Sequence, residues 1–139
     1  MKIKLFTIIN ARPAIEKIRA MPLKPQAALM LMRNMRSILR EISDYDKVYT
    51  DAVIKYGVKN PDGSYSVVPE KVQNPDGSST ISYEKIKTFS AEMEQALDEE
   101  ISLPEIITIP YSVITSEISA TDLDLLSWLF NFSETSQGD

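Results

Sequence analysis

The chain has no cysteine and no histidine, and only four glycines and one tryptophan in 139 residues. Without cysteine there is no disulfide and no thiolate nucleophile, and without cysteine or histidine the usual zinc sites are excluded. The missing histidine also removes the commonest general base and every histidine-centred triad. The glycines are taken up by a helix stop, two turns and the tail, leaving none for a phosphate-cradling loop. No apolar run reaches the ~18 residues of a membrane-spanning helix, and Met1-Lys2-Ile3-Lys4 is not followed by the apolar core and cleavage site of a secretory leader. A soluble, cytoplasmic, non-catalytic protein without cofactor or metal is the expectation. The paired acids Asp44 with Asp46, and Asp122 with Asp124, would point in different directions on a helix and do not converge on a reaction centre.

What is present is one long pattern. From Pro25 to Tyr56, the residues Ala28, Leu31, Met35, Ile38, Ile42, Tyr45, Tyr49, Ala52 and Tyr56 keep the three-then-four spacing of a single helix face. Met32, Leu39 and Val53 widen the stripe on one flank, while Arg33, Arg36, Arg40, Lys47 and Asp51 fall on the opposite side. Pro25 suits a first helical turn and Gly57 a stop. At 1.5 Å per residue such a helix spans about 45 to 50 Å, longer than a small domain is wide. Either shorter elements of the same chain line up along it, or part of its stripe is left for another copy or another protein.

The net charge of −5 conceals an asymmetry: residues 1–59 carry 12 Lys and Arg against 5 Asp and Glu, whereas residues 60–139 carry 3 against 15. The halves thus stand at +7 and −12. Either the acidic half folds back on the basic helices, or the two faces stay apart and the molecule is a dipole that stacks head to tail or meets a polyanion. A pI near 4.8 and scattered arginines fall short of a nucleic-acid footprint.

Taken in order, residues 2–9 read as a short strand or extended entry segment, and Asn10 as the cap of a short helix that ends before Met21-Pro22-Leu23-Lys24-Pro25. After Gly57, Asn60-Pro61-Asp62-Gly63-Ser64 recurs as Asn74-Pro75-Asp76-Gly77-Ser78, with proline and glycine where turns want them. The repeat predicts local turn chemistry within a small meander, or one hairpin plus a second turned loop. Its glycine spacing excludes an EF-hand. A helix is expected from Tyr83 or Glu84 to Glu100, with Ile86, Phe89, Met93, Leu97 and Ile101 inward and Glu92, Glu94, Asp98, Glu99 and Glu100 outward. Pro104 should stop it, and an edge strand or extended arm interrupted by Pro110 should follow. Ser119 and Asp122 form a capping box, with Ile118 placed to staple against Leu123. The helix they open should run from Ala120 to about Asn131, with Leu123, Leu126, Trp128, Leu129 and Phe130 apolar on more than one side, so that it is either well buried in the core or partly an exposed docking surface. Residues 133–139 read as a frayed tail.

The fold class that emerges is α+β and mainly helical: one long central helix, two or three shorter ones, and a small antiparallel hairpin or meander. One domain is expected over 1–132, with a helical part at 10–57, a turn-rich insert at 58–82, and the acidic and C-terminal helices at 83–132. The order of pieces resembles a group of small tailed-bacteriophage proteins encoded near tail genes. It is carried by Met1-Lys2-Ile3-Lys4-Leu5, Met21-Pro22-Leu23-Lys24-Pro25, Ile54-Lys55-Tyr56-Gly57, Asp62-Gly63, Leu97-Asp98-Glu99-Glu100 and Ile118-Ser119-Ala120-Thr121-Asp122-Leu123. The doubled Asn-Pro-Asp-Gly loop departs from the shorter connection of that group. The resemblance implies a phage origin and a non-catalytic role, in the host cytoplasm or incorporated in the virion, and assigns no functional residues.

Two functions are compatible with these features. One is a minor virion, tail or assembly component acting through protein contacts, self-association included. The other is an inhibitor or trigger of a host defence or nuclease system that uses its acidic surface. The contact residues they would use are Arg33, Arg36, Arg40, Tyr45, Tyr49, Glu94, Asp98, Glu99 and Trp128. The expected partner is a phage structural protein or a host defence protein, with neither nucleic acid nor membrane.

Overall fold

The computed structural model describes residues 2–103, 107–110 and 118–133. The element order is β1 (Lys2–Lys4), α1 (Leu5–Asn10), α2 (Arg12–Arg19), α3 (Pro25–Tyr56), β2 (Val58–Lys59), β3 (Tyr65–Ser66), β4 (Glu70–Gln73), β5 (Ser79–Ser82), α4 (Glu84–Leu97), β6 (Glu100–Ser102), β7 (Ile107–Pro110), α5 (Ala120–Leu125) and β8 (Phe130–Ser133). The fold is α+β and mainly helical around one long helix. The chain groups into two compact units, Met1–Ile42 with Glu100–Asp139, and Ser43–Glu99. The long helix contributes its residues 25–42 to the first and 43–56 to the second.

Among the described residues, the first unit holds nearly all of the buried side chains. Leu5, Ile8, Ala11, Ala14, Ile15 and Ile18 are buried in sequence across α1 and α2, and Leu31, Met35, Ile38 and Ile42 are buried on α3. Met21, Leu103, Leu126 and Leu129 complete this core. Each such large side chain stabilises the fold by about 1.5–3 kcal/mol relative to exposure. β1 pairs antiparallel with β6, setting Ile3 opposite Ile101 and Lys4 opposite Glu100. With the ion pair between Lys17 Nζ and Asp122 Oδ2 at 2.6 Å, this ties the basic start of the chain to its acidic second half. β7 and β8 pair in parallel, with Pro110 opposite Ser133 at the end of the ladder, where a residue lacking an N–H does least harm.

Three expectations for this unit are corrected. Leu5–Asn10 is helix rather than strand: Thr7, Ile8 and Ile9 are β-branched, yet Leu5, Ile8, Ala11, Ala14, Ile15 and Ile18 hold a helical period that tertiary burial rewards. Asn10 closes α1 instead of capping α2, whose N-cap is Ala11 without a side-chain bond and whose first turn holds Pro13. The C-terminal helix stops at Leu125, and residues 126–129 turn into β8, which bears the backbone of Phe130 and Asn131. Residues 104–106, 111–117 and 134–139 lie outside the described residues, and with them Pro104, the Tyr111–Ile114 continuation and the tail beyond Ser133.

In the second unit, α4 ends at Leu97, not Glu100, because Asp98 caps it and Glu100–Ser102 belongs to β6. Glu99 follows the cap, and Ile101 leaves the helical face for the sheet. Here the repeated motif makes two separate antiparallel hairpins, β2–β3 and β4–β5: the second turned loop closes a hairpin of its own. In each, the asparagine carbonyl accepts from the glycine N–H (Gly63 to Asn60, 3.0 Å; Gly77 to Asn74, 3.1 Å). Positive φ values of 91° at Gly63 and 88° at Gly77 then turn the chain back, a geometry glycine adopts freely. The side chains match too. Asp62 Oδ1 accepts from the Ser64 N–H at 3.0 Å, as Asp76 Oδ1 does from Ser78 at 2.9 Å. Asn60 Nδ2 donates to Ser64 and Ser66 hydroxyls, as Asn74 Nδ2 does to those of Ser78 and Thr80. The equivalence therefore extends beyond the turn, over Val58–Ser66 and Val72–Thr80.

Candidate functional site

The nine contact candidates fall into separate places. Arg33, Arg36, Arg40 and Trp128 belong to the first unit, and Tyr45, Tyr49, Glu94, Asp98 and Glu99 to the second. The arginines stand exposed at i, i+3 and i+7 on α3, and none of the three makes an ion pair among the described residues. Trp128 is half-buried in the turn after α5. Its Nε1 is fully buried and meets no acceptor among the described residues.

Tyr45 and Tyr49 are largely used within their own unit. Their rings lie 6.2 Å apart, and Tyr49 meets Phe89 of α4 edge-on at 5.8 Å, as Tyr56 does at 6.5 Å. The Tyr56 hydroxyl donates to Glu92 Oε1 at 2.6 Å. Beside it, the Tyr56 hydroxyl first and the Glu92 charge second raise the Lys55 ammonium above its ordinary pKa. These contacts hold α4 to the second half of α3, in a unit where Met93 alone is buried among the described large side chains. Glu94 and Glu99 stay exposed, and Asp98 ends the helix with its N–H donated to the Glu94 carbonyl at 3.0 Å.

Ser119 and Asp122 form the expected capping box: the serine oxygen accepts from the Asp122 N–H at 3.1 Å. The Lys17 ammonium, and then the Ser119 hydroxyl and N–H, hold the Asp122 carboxyl below the usual carboxylate range.

One concavity was not anticipated from the sequence. A groove of about 260 Å³ runs between the α2–α3 connection and the first half of α3, lined by Arg19, Met21, Leu23, Ala28, Leu31, Met32, Met35, Arg36 and Leu39. Met32 and Leu39, the flank of the apolar stripe, are the sequence signal for it. Pro22 and Pro25 push the residues before them, Met21 and Lys24, out of the helical region, so the connection between α2 and α3 is free to form the opposing wall. Its lining offers thioethers, hydrocarbon and two guanidiniums, a set suited to binding rather than to proton or group transfer. No cluster of three metal-ligating side chains occurs among the described residues, and none of the described helices is long and apolar enough to cross a membrane. No protein family, curated protein or solved structure matches this chain.

Proposed function

We propose that this chain acts by binding other proteins, as a minor virion, tail or assembly component of a tailed bacteriophage. The observation that carries the reading is the exposure of large apolar side chains along one helix: Leu29, Met30, Met32, Val48 and Ile54 of α3 all stand open, Met32 at 60%. The grouping of Leu29, Met30 and Met32 within one turn of exposed helix supports a contact surface there. The resemblance in the order of sequence pieces supplies the phage setting. The test is purification of the tagged protein from phage-infected cells, with co-purifying proteins identified by mass spectrometry. Capsid or tail proteins are the expected result; a stoichiometric host nuclease or defence protein would overturn it.

A second reading, an inhibitor or trigger of a host defence system, is favoured by the exposed carboxylates of Glu94 and Glu99 near the α4 C-terminus, where the helix dipole disfavours them. Reversing charge at Glu94, Asp98 and Glu99 separates the two. An inhibitor of this kind loses binding in a salt-sensitive way, and an assembly protein held by apolar contacts keeps its partner.

A further inference from the structure

We propose that the groove beside the first half of α3 receives an acidic amphipathic helix of a partner protein. The inference rests on the protein-binding role above and gives it a location. Leu31 and Met35 are buried at the base of the groove, Met21 stands on the α2–α3 side, and Met32 and Leu39 border it on the helix side. At about 260 Å³ the space lies below the ~300–1,000 Å³ of small-molecule sites and suits a few anchoring side chains. A helix that lays its apolar residues into a groove needs this kind of opening, and methionine walls adapt to the side chains that enter.

Charge selects the partner. Arg36 lines the groove and continues on either side into Arg33 and Arg40, one exposed basic ridge with no carboxylate paired to it among the described residues. On the other side Arg19 is already engaged, its guanidinium donating to Glu16 at 3.0 and 3.2 Å. A fitting helix therefore carries apolar residues at i and i+4 and Asp or Glu along the single flank that faces the ridge. A polyanion without apolar groups would leave Met32 in water. Among the described residues a second copy of this chain does not supply the segment through α4, its acidic helix, which buries Met93 and turns Phe89 to Tyr49 and Tyr56.

The test is a yeast-displayed library of single helices selected against the full chain, with a Met32→Asp, Arg36→Glu variant as the comparison. Both positions are exposed, so the variant should keep the parental circular dichroism, and Arg40→Glu alone provides a milder change to the same ridge. Enriched helices are expected to show apolar residues at i and i+4 with acids on one flank. They should bind the double variant at least about tenfold more weakly, and Arg40→Glu and added salt should also weaken them. Failure to enrich any helix, enrichment of basic or uncharged ones, or equal binding to the double variant overturns the proposal. So does a parental dimer in sedimentation that the double variant abolishes, because the occupant would then be a second copy. Helices indifferent to the variant refute the groove alone, whereas a tagged chain that retrieves no phage structural protein refutes the broader role.

Discussion

Asp62 and Asp76 do the same work in the two loops, and their protonation should be read twice in one experiment. The Ser64 and Ser78 hydroxyls first, and their N–H groups second, hold these carboxyls below the ordinary carboxylate value. A depressed folded-state pKa means that the stabilisation is complete above the unfolded value of about 3.9 and is lost as pH falls through the folded one. The amide resonances of Ser64 and Ser78 should therefore move together, at a pH below about 3.9, and Asp62→Asn should abolish the first shift while leaving the second. Trp128 is a residue of the opposite kind. Its buried indole N–H lacks an acceptor among the described residues, so Trp128→Phe should lower the free energy of unfolding, read by denaturant titration, by less than the ~2–5 kcal/mol expected of Leu126→Ala, a truncation in the core.

At the scale of elements, Gly57 joins α3 to the first hairpin. Its N–H donates to the Val53 carbonyl at 2.8 Å, and a Cβ there would collide with that same carbonyl oxygen and lie 2.9 Å from the Ser66 oxygen. Both obstacles are backbone. Gly57→Ala should destabilise the 43–99 unit by about 1–3 kcal/mol in denaturant titration, whereas at Gly63 there is open space and only the left-handed φ opposes a side chain. The long helix was legible in the sequence to the residue, since proline, glycine and an unbroken apolar period all agree at its ends. The Ser119 cap was legible for a similar reason, being a purely local bond. Leu5–Asn10 was misread because Thr7, Ile8 and Ile9 favour strand, while the evidence for helix lay in a period continuing through Ala11 to Ile18. The end of α5 was hidden because Leu126 and Leu129 fit a helical face as well as they fit the turn that buries them. The groove was legible only in part: Met32 and Leu39 showed as the flank of the stripe, but Arg19, Met21 and Leu23 reach it through the chain direction after α2, which periodicity does not encode.

For the whole molecule, burial is distributed unequally between the two units. Along α3 the stripe is fully buried at Leu31, Met35, Ile38 and Ile42, then only half-buried at Tyr45, Ala52 and Tyr56. Local opening costs less where fewer apolar contacts must be broken. Amide exchange at residues 45–56 should accordingly outpace that at 31–42, a gradient within one helix that hydrogen-exchange mass spectrometry resolves; uniform protection would contradict it. The paired hairpins carry a different kind of freedom. Because Asn60 and Asn74 occupy equivalent points, excising residues 60–73 joins Val58-Lys59 directly to Asn74-Pro75-Asp76-Gly77-Ser78 and leaves one intact hairpin with the original pairing pattern. The exposed Lys85–Glu70 ion pair would go, at a cost of about 0–1 kcal/mol. The shortened protein should fold, with the first unit's melting unchanged. Removing one such period takes out a whole hairpin and leaves its neighbour's turn chemistry complete, so the repeat behaves as a modular unit of the chain.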